Sequence, residues 1–317
     1  MLELQFSYTS AAASLSEPGA VCRIDFGAPG RADGAALSIH THLPRLPRDA
    51  SLVEQIQVAG ASYTCGEQGA VSYLQTPDWL VAQIQLPLEP ADAIALITEQ
   101  AYLELFSCMQ RLGFARAVRI WNYLPNINQG EGDAEVYKQF CWGRHRAFTT
   151  LALPASEYPA ASALGRQPGG LLVYALAYAR TCAHIENPSQ TSAYAYPRTY
   201  GPASPSFARA SLAGDTLFIS GTASILNAES YHLGDVLKQA QLSCQNLQRV
   251  MEQAQRQTGG TFRLQLAKIY LRHGADHANL QLCLPAWLGP DCTLLWLEAD
   301  ICRAELLIEI EGIAVRD

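Results

Sequence analysis

The sequence contains 317 residues, 49% of them apolar and 16% charged, and its formal net charge is −7. This length is sufficient for one large domain or two of moderate size. The acidic balance argues against non-specific binding to nucleic acid or to anionic membranes, so a site for an anion would need locally placed arginines. We recognise no signal peptide at the N-terminus and no apolar run long enough to cross a bilayer. Nine scattered cysteines without a CxxC pair predict reduced thiols in a cytoplasmic protein.

Apolar periodicity and turn residues divide the chain into successive elements. The first hundred residues carry no recognisable motif, and up to about residue 87 they predict short strands, among them 53–58 and 79–86. The later elements are predicted, in chain order, as a helix at 92–112, a strand at 118–123, a helix at 134–149, a strand at 171–177, a helix at 235–257, a strand at 263–272, a short helix near 276, and strands at 293–299 and 306–314.

The order helix, strand, helix, strand therefore occurs twice. It predicts an α/β (α+β) fold of two lobes, each a mixed β-sheet with helices packed on one face. Residues 155–170 are rich in Pro, Gly, Ala and Ser, a composition typical of a linker. We therefore expect an N-terminal lobe at residues 1–160 and a C-terminal lobe at residues 161–317.

Residues 194–235, YAYPRTYGPASPSFARASLAGDTLFISGTASILNAESYHLGD, concentrate arginine and tyrosine in a chain with few cations. Arg198 and Arg209 offer planar guanidinium groups that match a carboxylate with two hydrogen bonds, and Tyr196 and Tyr200 offer hydroxyls on rigid rings. This combination predicts a pocket for a small, polar anion. The alternative is a Pro/Gly-rich surface loop with aromatic anchors.

The predicted strand at 306–314 carries two carboxylates on one face. Alternation places Leu306, Ile308 and Ile310 on one side of the strand and Glu309 and Glu311 on the other. Either the acidic face meets solvent, or one of the carboxyl groups is buried. Burial would raise its pKa enough for general acid catalysis near neutral pH.

Four separate segments resemble the signature of the chorismatases, enzymes that hydrolyse chorismate. They run in the order of that family from about residue 115 to the C-terminus. They are IWNYLPNINQGEGDAEVYKQFCWGRHRAF at 120–148, YPAASALG at 158–165, the Arg/Tyr-rich segment at 194–235, and ADICRAELLIEIEG at 299–312. The last segment also resembles the closing strand of the YjgF-type reactive-intermediate deaminases, so the resemblance implies YjgF-like lobes. Those deaminases carry an arginine where Ile301 stands, and this departure argues against deamination.

The resemblance implies roles for the acidic strand. Glu309 would be the general acid that protonates the methylene carbon of the enolpyruvyl group, and Glu311 would be a supporting or structural partner. A cysteine at the position of Cys302 accompanies the branch of the family that releases a hydroxybenzoate. Cys302 would guide the cationic intermediate and not act as a nucleophile, because no histidine shares a motif with it.

The resemblance also implies which residues bind the substrate. Chorismate carries two carboxylates, and the expected clamps are Arg144, in the helix motif QFCWGRHRAF, together with Arg198 and Arg209. Tyr196 and Tyr200 would be their hydroxyl partners, and Gly221 would let the backbone approach the ligand closely. Two further expectations rest on helix geometry and on metal spacing. Arg146 should face solvent, on another side of the helix from Arg144. The histidine pairs at 40/42 and 273/277 lack zinc-ligand spacing.

The expected activity is the conversion of chorismate to pyruvate and 3-hydroxybenzoate, alone or with some 4-hydroxybenzoate, as in relatives that feed aromatic pigments or other secondary metabolites. Two alternatives stay open: a chorismatase that releases a dihydroxycyclohexadiene carboxylate, and a non-catalytic YjgF-like protein that binds a small anion. Glu309 favours an enzyme, because a binder of a dianion gains nothing from a carboxylate facing its ligand. No GxGxxG or P-loop follows a strand, so we expect no metal and no nucleotide cofactor. The chain should bind its small-molecule substrate, without nucleic acid or membrane, as a monomer or small homo-oligomer.

Overall fold

The computed structural model describes residues 4–10, 20–27, 35–48, 52–58, 62–88, 94–165 and 169–317. The helices found there are α1 Ile94–Arg111, α2 Val136–Thr150, α3 Val236–Thr258, α4 His277–Leu280 and α5 Leu284–Leu288. The strands are β1 Leu4–Ser10, β2 Ala20–Asp25, β3 Leu37–His40, β4 Leu52–Val58, β5 Thr64–Gln68, β6 Val71–Gln75, β7 Trp79–Leu86, β8 Ala117–Leu124, β9 Ala160–Gly165, β10 Leu171–Tyr178, β11 Ala183–Ile185, β12 Ala210–Ala213, β13 Thr216–Thr222, β14 Ile225–Leu226, β15 Glu229–Ser230, β16 Phe262–Leu271, β17 Thr293–Glu298, β18 Asp300–Ile301 and β19 Ile308–Arg316.

The N-lobe sheet has the strand order β18-β9-β8-β10-β7-β6-β5. It is mixed, because β8 runs parallel to β9 whereas β10 is antiparallel to both of its neighbours. Helices α1 and α2 pack on one face over an apolar cluster. All residues of β8, β9 and β10 are buried, because the opposite face of this sheet is covered as well.

The C-lobe sheet has the order β11-β12-β13-β19-β16-β17. It is also mixed, with β16 parallel to β17 and antiparallel to β19. Helix α3 begins after its N-cap residue Asp235, whose side chain accepts a hydrogen bond from the Lys238 amide, and it packs on β13 and β19. The predicted fold of two mixed α/β lobes with helices on one face is therefore confirmed.

A third sheet, the cover sheet, has the order β1-β4-β2-β3. Its inner side chains share one apolar core with the facing surfaces of both lobe sheets. Members of this core are Ile24, Phe26 and Ile56 from the cover sheet, Trp121 and Tyr174 from the N-lobe sheet, and Phe218 and Tyr270 from the C-lobe sheet. The three sheets thus hold one another in place, and polar groups between the lobes are shielded from water.

The N-lobe sheet contains strands from the later part of the chain. The N-lobe sheet continues past residue 160, because β9 pairs with β8 and β10 with β7 and β8. The short strand β18, which precedes Cys302, crosses from the C-terminal half and pairs with β9. The lobe boundary at residue 160 stays a prediction, and a division after Tyr178 would follow the sheets more closely. Residues 92–93 of the first predicted helix and 166–168 of the predicted linker lie outside the described residues.

No helix in the described part of the chain is long and apolar enough to cross a membrane.

Candidate active site

A cavity of about 450 Å³ lies at the junction of the two lobes. Its walls come from β13 and β19 of the C-lobe, from the loop before α2 and the first turn of that helix, and from two segments, residues 196–209 and 302–305. A narrower extension of about 30 Å³ reaches Arg144 and Ser162 and shares Gly221, Cys302 and Glu309 with the main cavity. The segments that the sequence singled out therefore meet around one enclosed space.

Glu309 lies on β19 where the main cavity and its extension meet, and only 4% of its surface is exposed. Of the two alternatives for this face of the strand, burial is the one observed, because β19 is an inner strand of its sheet and a second sheet covers the acidic face. Burial and the neighbouring Glu311 carboxylate raise the pKa of Glu309 from 4.5 to about 8, against a smaller opposing effect of Arg119. A carboxyl group with this pKa is largely protonated at neutral pH and can donate a proton into the cavity.

Glu311 is equally buried but has the opposite chemical character. Its Oε2 accepts hydrogen bonds from Arg119 Nη2 at 2.7 Å and from the Ser162 hydroxyl at 2.7 Å. Its Oε1 accepts from Trp121 Nε1 at 2.7 Å and lies 3.1 Å from Lys268 Nζ. Burial alone would raise the pKa of Glu311, but the two cations and the hydrogen bonds lower it to about 2. Glu311 is thus a fixed anion beside Glu309, and the two carboxyls have separate tasks.

Gly221 is required by the position of Glu309. A Cβ added at residue 221 would lie 1.9 Å from Glu309 Oε1. The Gly221 amide also donates to Ser162 Oγ at 2.9 Å, which ties β13 to β9. A glycine is therefore needed here to make room for the Glu309 side chain, and since Gly221 also lines the cavity, close approach of its backbone to a ligand stays a prediction.

Arg144 is a buried cation in α2 without a matching carboxylate among the described residues. Its guanidinium lies over the Phe140 ring at 5.0 Å, and its neighbours are the Tyr102 and Tyr137 hydroxyls and the Cys141 thiol. Its Nε has no hydrogen-bond partner within the described ranges. A buried charge normally requires a partner, so Arg144 is suited to an anion that enters the extension of the cavity.

Arg209, Tyr196 and Tyr200 also line the cavity, as predicted. Arg209 Nη2 donates to the Tyr196 hydroxyl and to the Thr191 carbonyl, both at 2.9 Å, which fixes the guanidinium. Its Nε has no hydrogen-bond partner in the described structure. The segment therefore forms a wall of the pocket through Tyr196, Tyr200 and Arg209, while residues 194, 195 and 197–199 are exposed at the surface.

Arg198 does not line the cavity, although we expected it to bind substrate. Its guanidinium forms a bidentate pair with Asp133, and 65% of its side chain is exposed. Arg198 lies in the tight turn Arg198–Tyr200, whose side chains point in different directions: Thr199 and Tyr200 line the cavity, whereas Arg198 points outward. Arg146, on α2, is partly exposed and pairs with Glu99, so its predicted solvent-facing position holds.

Cys302 lines both parts of the cavity. Burial, together with the nearby Glu309, raises the pKa of its thiol well above the ordinary value. A thiol of this kind is a poor nucleophile, and Cys302 shares both parts of the cavity wall with Glu309.

Arg303 is a cavity residue that the sequence analysis missed, although it lies within the quoted segment 299–312. Its guanidinium lies over the Tyr200 ring at 4.2 Å and donates to the Ala228 carbonyl at 2.9 Å. Ile301, in contrast, is buried in the shared core. Because an arginine two residues further on reaches the cavity, the identity of residue 301 alone does not distinguish deaminase from chorismatase chemistry.

Within the described residues, no three His, Cys, Asp or Glu side chains gather as a metal site. His40 Nδ1 lies 3.7 Å from an Asp25 oxygen, and the His277 ring packs edge-on against Trp296.

The chain is similar in sequence and in structure to known proteins. The family model described as chorismatase FkbO/Hyg5-like, N-terminal, matches residues 55–177. A 3-hydroxybenzoate synthase from Streptomyces hygroscopicus is 33% identical over 278 residues, which cover 82% of this chain and 81% of the relative. A chorismatase from Streptomyces rapamycinicus is 32% identical over 262 residues, 78% of each chain. A crystal structure of a chorismatase superimposes with a TM-score of 0.88 at 29% identity, covering 99% of both chains.

Proposed function

The chain belongs to the chorismatase family, and from this membership we propose that it converts chorismate to 3-hydroxybenzoate and pyruvate. The observation that carries the proposal is Glu309, a buried carboxyl with a pKa of about 8 that faces a cavity next to unpaired guanidinium nitrogens. The relative that is 33% identical over 278 residues is named a 3-hydroxybenzoate synthase.

In this proposal Glu309 donates its proton to the methylene carbon of the enolpyruvyl group. The carbon that bears the ether oxygen becomes cationic, and cleavage of the bond between that oxygen and the ring releases pyruvate and leaves a cation on the ring. Migration of the neighbouring hydroxyl to the cationic ring carbon and loss of a ring proton then give 3-hydroxybenzoate, whereas proton loss without migration gives 4-hydroxybenzoate. Hydroxybenzoate and pyruvate together contain all the atoms of chorismate, so no co-substrate is consumed. The fixed anion Glu311 favours the protonated form of Glu309 before the reaction, and after the transfer the glutamate oxygens are placed to take up a proton again.

Two arginines support binding of the two carboxylates of chorismate. Arg144 lies at the narrow end of the cavity and Arg209 in the main part, and each keeps an Nε without a hydrogen-bond partner in the described structure. Arg303 adds a third cation, held flat by Tyr200. Arginine binds carboxylates through paired hydrogen bonds, and such bonds strengthen in an enclosed site.

Cys302 supports the hydroxybenzoate branch over the dihydroxycyclohexadiene branch, because an un-ionised thiol beside Glu309 occupies space that an attacking water would need and does not activate that water. The dihydroxycyclohexadiene product differs from hydroxybenzoate by one water, so the two are separated by mass. Formation of 4-hydroxybenzoate as a minor product is part of the same proposal. The cysteines in the described structure are all free thiols, which supports a cytoplasmic location.

The test is incubation of the purified protein with chorismate, with pyruvate and the aromatic products measured by chromatography and mass spectrometry. Glu309→Gln should abolish most of the pyruvate release. Glu305→Gln is the matched control, because Glu305 also lines the cavity but is exposed and accepts a hydrogen bond from Ser230. Binding of chorismate without any pyruvate release by the wild-type protein would favour the non-catalytic alternative.

A further inference from the structure

A buried chain of charges extends away from the cavity behind Glu309. Glu54 from the cover sheet lies 2.7 Å from Lys268 of β16, and Lys268 lies 3.1 Å from Glu311 of β19. Glu311 in turn accepts from Arg119 of the N-lobe sheet at 2.7 Å. All four side chains line one small internal cavity of about 10 Å³, so they converge on a common point where the three sheets meet.

Glu54 has no part in the proposed reaction. It does not line the main cavity, and only 1% of its surface is exposed. A buried ion pair is weak evidence for a stabilising role, because replacing such a pair by well-packed apolar residues is often neutral or stabilising. Among the described residues of the cover sheet, Glu54 is the only carboxylate that pairs with Lys268. The first hundred residues, which carry no recognisable motif, thus contribute a charge to the surroundings of the catalytic strand.

We propose that Glu54 is a positioning residue for the acid: it shares Lys268 with Glu311, keeps the buried network electrically neutral, and thereby keeps Glu309 protonated. This inference rests on the proposed function, in which Glu309 is the proton donor. Burial raises the pKa of Glu54 and the adjacent Lys268 ammonium opposes that effect. With Glu54 ionised against Lys268, two carboxylates and two cations sum to zero in the wild type. Without Glu54 the network carries a net positive charge, which favours the ionised form of Glu309.

Other charged and titratable groups nearby do not change this sign. The groups that face Glu309 are Glu311 on the same strand, Arg119 from β8, Cys302 from the loop after β18, and Arg144 from α2 across the cavity extension. The groups that face Glu54 are Lys268, Glu311, Arg119, Tyr8, Cys22 and Tyr174. Burial raises the pKa of these tyrosines and of the Cys22 thiol, so they remain neutral at the pH of the assay.

The experiment is the pH profile of kcat for Glu54→Gln. The limb on which kcat falls with rising pH should move to lower pH by about one unit, the order of magnitude for removal of one charge within a protein interior. At pH 8 kcat should then be several-fold lower than in the wild type, while KM and the acidic plateau of kcat stay unchanged. A merely structural role would lower kcat equally at every pH. The double variant Glu54→Gln/Lys268→Met restores neutrality and should return the limb to its wild-type position.

Asp25→Asn is the matched control. Asp25 is a buried carboxylate of the same cover sheet, but it accepts hydrogen bonds from Arg23 and has no contact with the network. Its variant should leave the limb in place. Should Glu54→Gln fail to fold, Glu54→Met removes the same charge and carries the same prediction.

The outcomes separate this inference from the proposed function. If Glu309→Gln abolishes turnover but Glu54→Gln leaves the limb where it is, the positioning role is wrong and the acid assignment stands. If Glu309→Gln retains turnover, both are wrong. A shift of the limb in Asp25→Asn equal to that in Glu54→Gln would also overturn the positioning role, because it would show a general effect of charge in the cover sheet.

Discussion

Replacement of Glu309 by glutamine removes the acidic proton and keeps the size of the side chain. The cavity wall, Gly221 and the arginines stay in place, so chorismate should still bind. Since protonation of the enolpyruvyl carbon needs a donor, the chemical step should lose its acid. The expected result is a large fall in kcat with a small change in KM.

The size of the fall follows from the position of Glu309. A glutamate with a pKa of 4.5 is protonated in about one molecule in 300 at pH 7, whereas a pKa of about 8 keeps about nine molecules in ten protonated. The site thus holds an acid that is ready to react at neutral pH. General acid catalysis contributes roughly 10²–10⁴-fold, so kcat of Glu309→Gln should fall by at least about 100-fold. In the wild type, kcat should fall about tenfold per pH unit above about pH 8, because the acid ionises there.

The assay is the initial rate of pyruvate release between pH 5 and pH 10, for wild type, Glu309→Gln and the control Glu305→Gln. The glutamine variant should show a low rate without the decline above pH 8. The reasoning is refuted if Glu309→Gln keeps a tenth of the wild-type rate, or if the wild-type rate keeps rising through pH 9. In the first case Glu311 would be the next candidate for the acid, despite its low pKa.

Further predictions concern binding, product choice, metals and stability. Arg144→Ala and Arg209→Ala should each lower kcat/KM about ten- to a hundredfold, since charged hydrogen bonds contribute about 1.5–3 kcal/mol; Arg146→Ala is the control, and equal losses at 144 and 146 would contradict the assigned helix face. Cys302→Ala should still release pyruvate but shift the aromatic product toward the dihydroxycyclohexadiene carboxylate; an unchanged product ratio would remove Cys302 from product choice. Activity should survive a strong chelator, and its loss with recovery on adding zinc or magnesium would disprove metal-free catalysis. Finally, because burial raises the folded-state pKa of Glu309, its contribution should cost the wild type a few kcal/mol of unfolding free energy as pH rises from 4.5 to about 8. Glu309→Gln should lack this loss when the two proteins are compared by chemical denaturation across this pH range. Parallel curves of unfolding free energy against pH would argue against a raised pKa.

The sequence was sufficient to find the lobes and the acidic strand. Helical periodicity predicted α1, α2 and α3 within a few residues of their ends, because their apolar stripes face sheet surfaces. Alternation placed Glu309 and Glu311 on the same face of β19, since the side-chain period of a strand is fixed by its geometry. The Arg/Tyr-rich segment predicted an anion pocket from residue types alone. These inferences depend on local spacing and on chemistry that each side chain carries with it.

Tertiary structure decided how those residues act. The low pKa of Glu311 arises from partners such as Lys268 and Trp121, the latter 190 residues away, whereas burial between packed sheets is the main cause of the raised pKa of Glu309; no local pattern encodes either effect. Arg198 and Arg209 look alike in sequence, but the tight turn Arg198–Tyr200 leaves Arg198 exposed beside Asp133, whereas Arg209 lines the cavity. The role proposed for the cover sheet could not be predicted from the sequence, because nothing near Glu54 in the chain indicates that it pairs with Lys268. Burial and charge pairing depend on which elements meet in space, so the chemistry of a carboxyl group is fixed only when the sheets have packed.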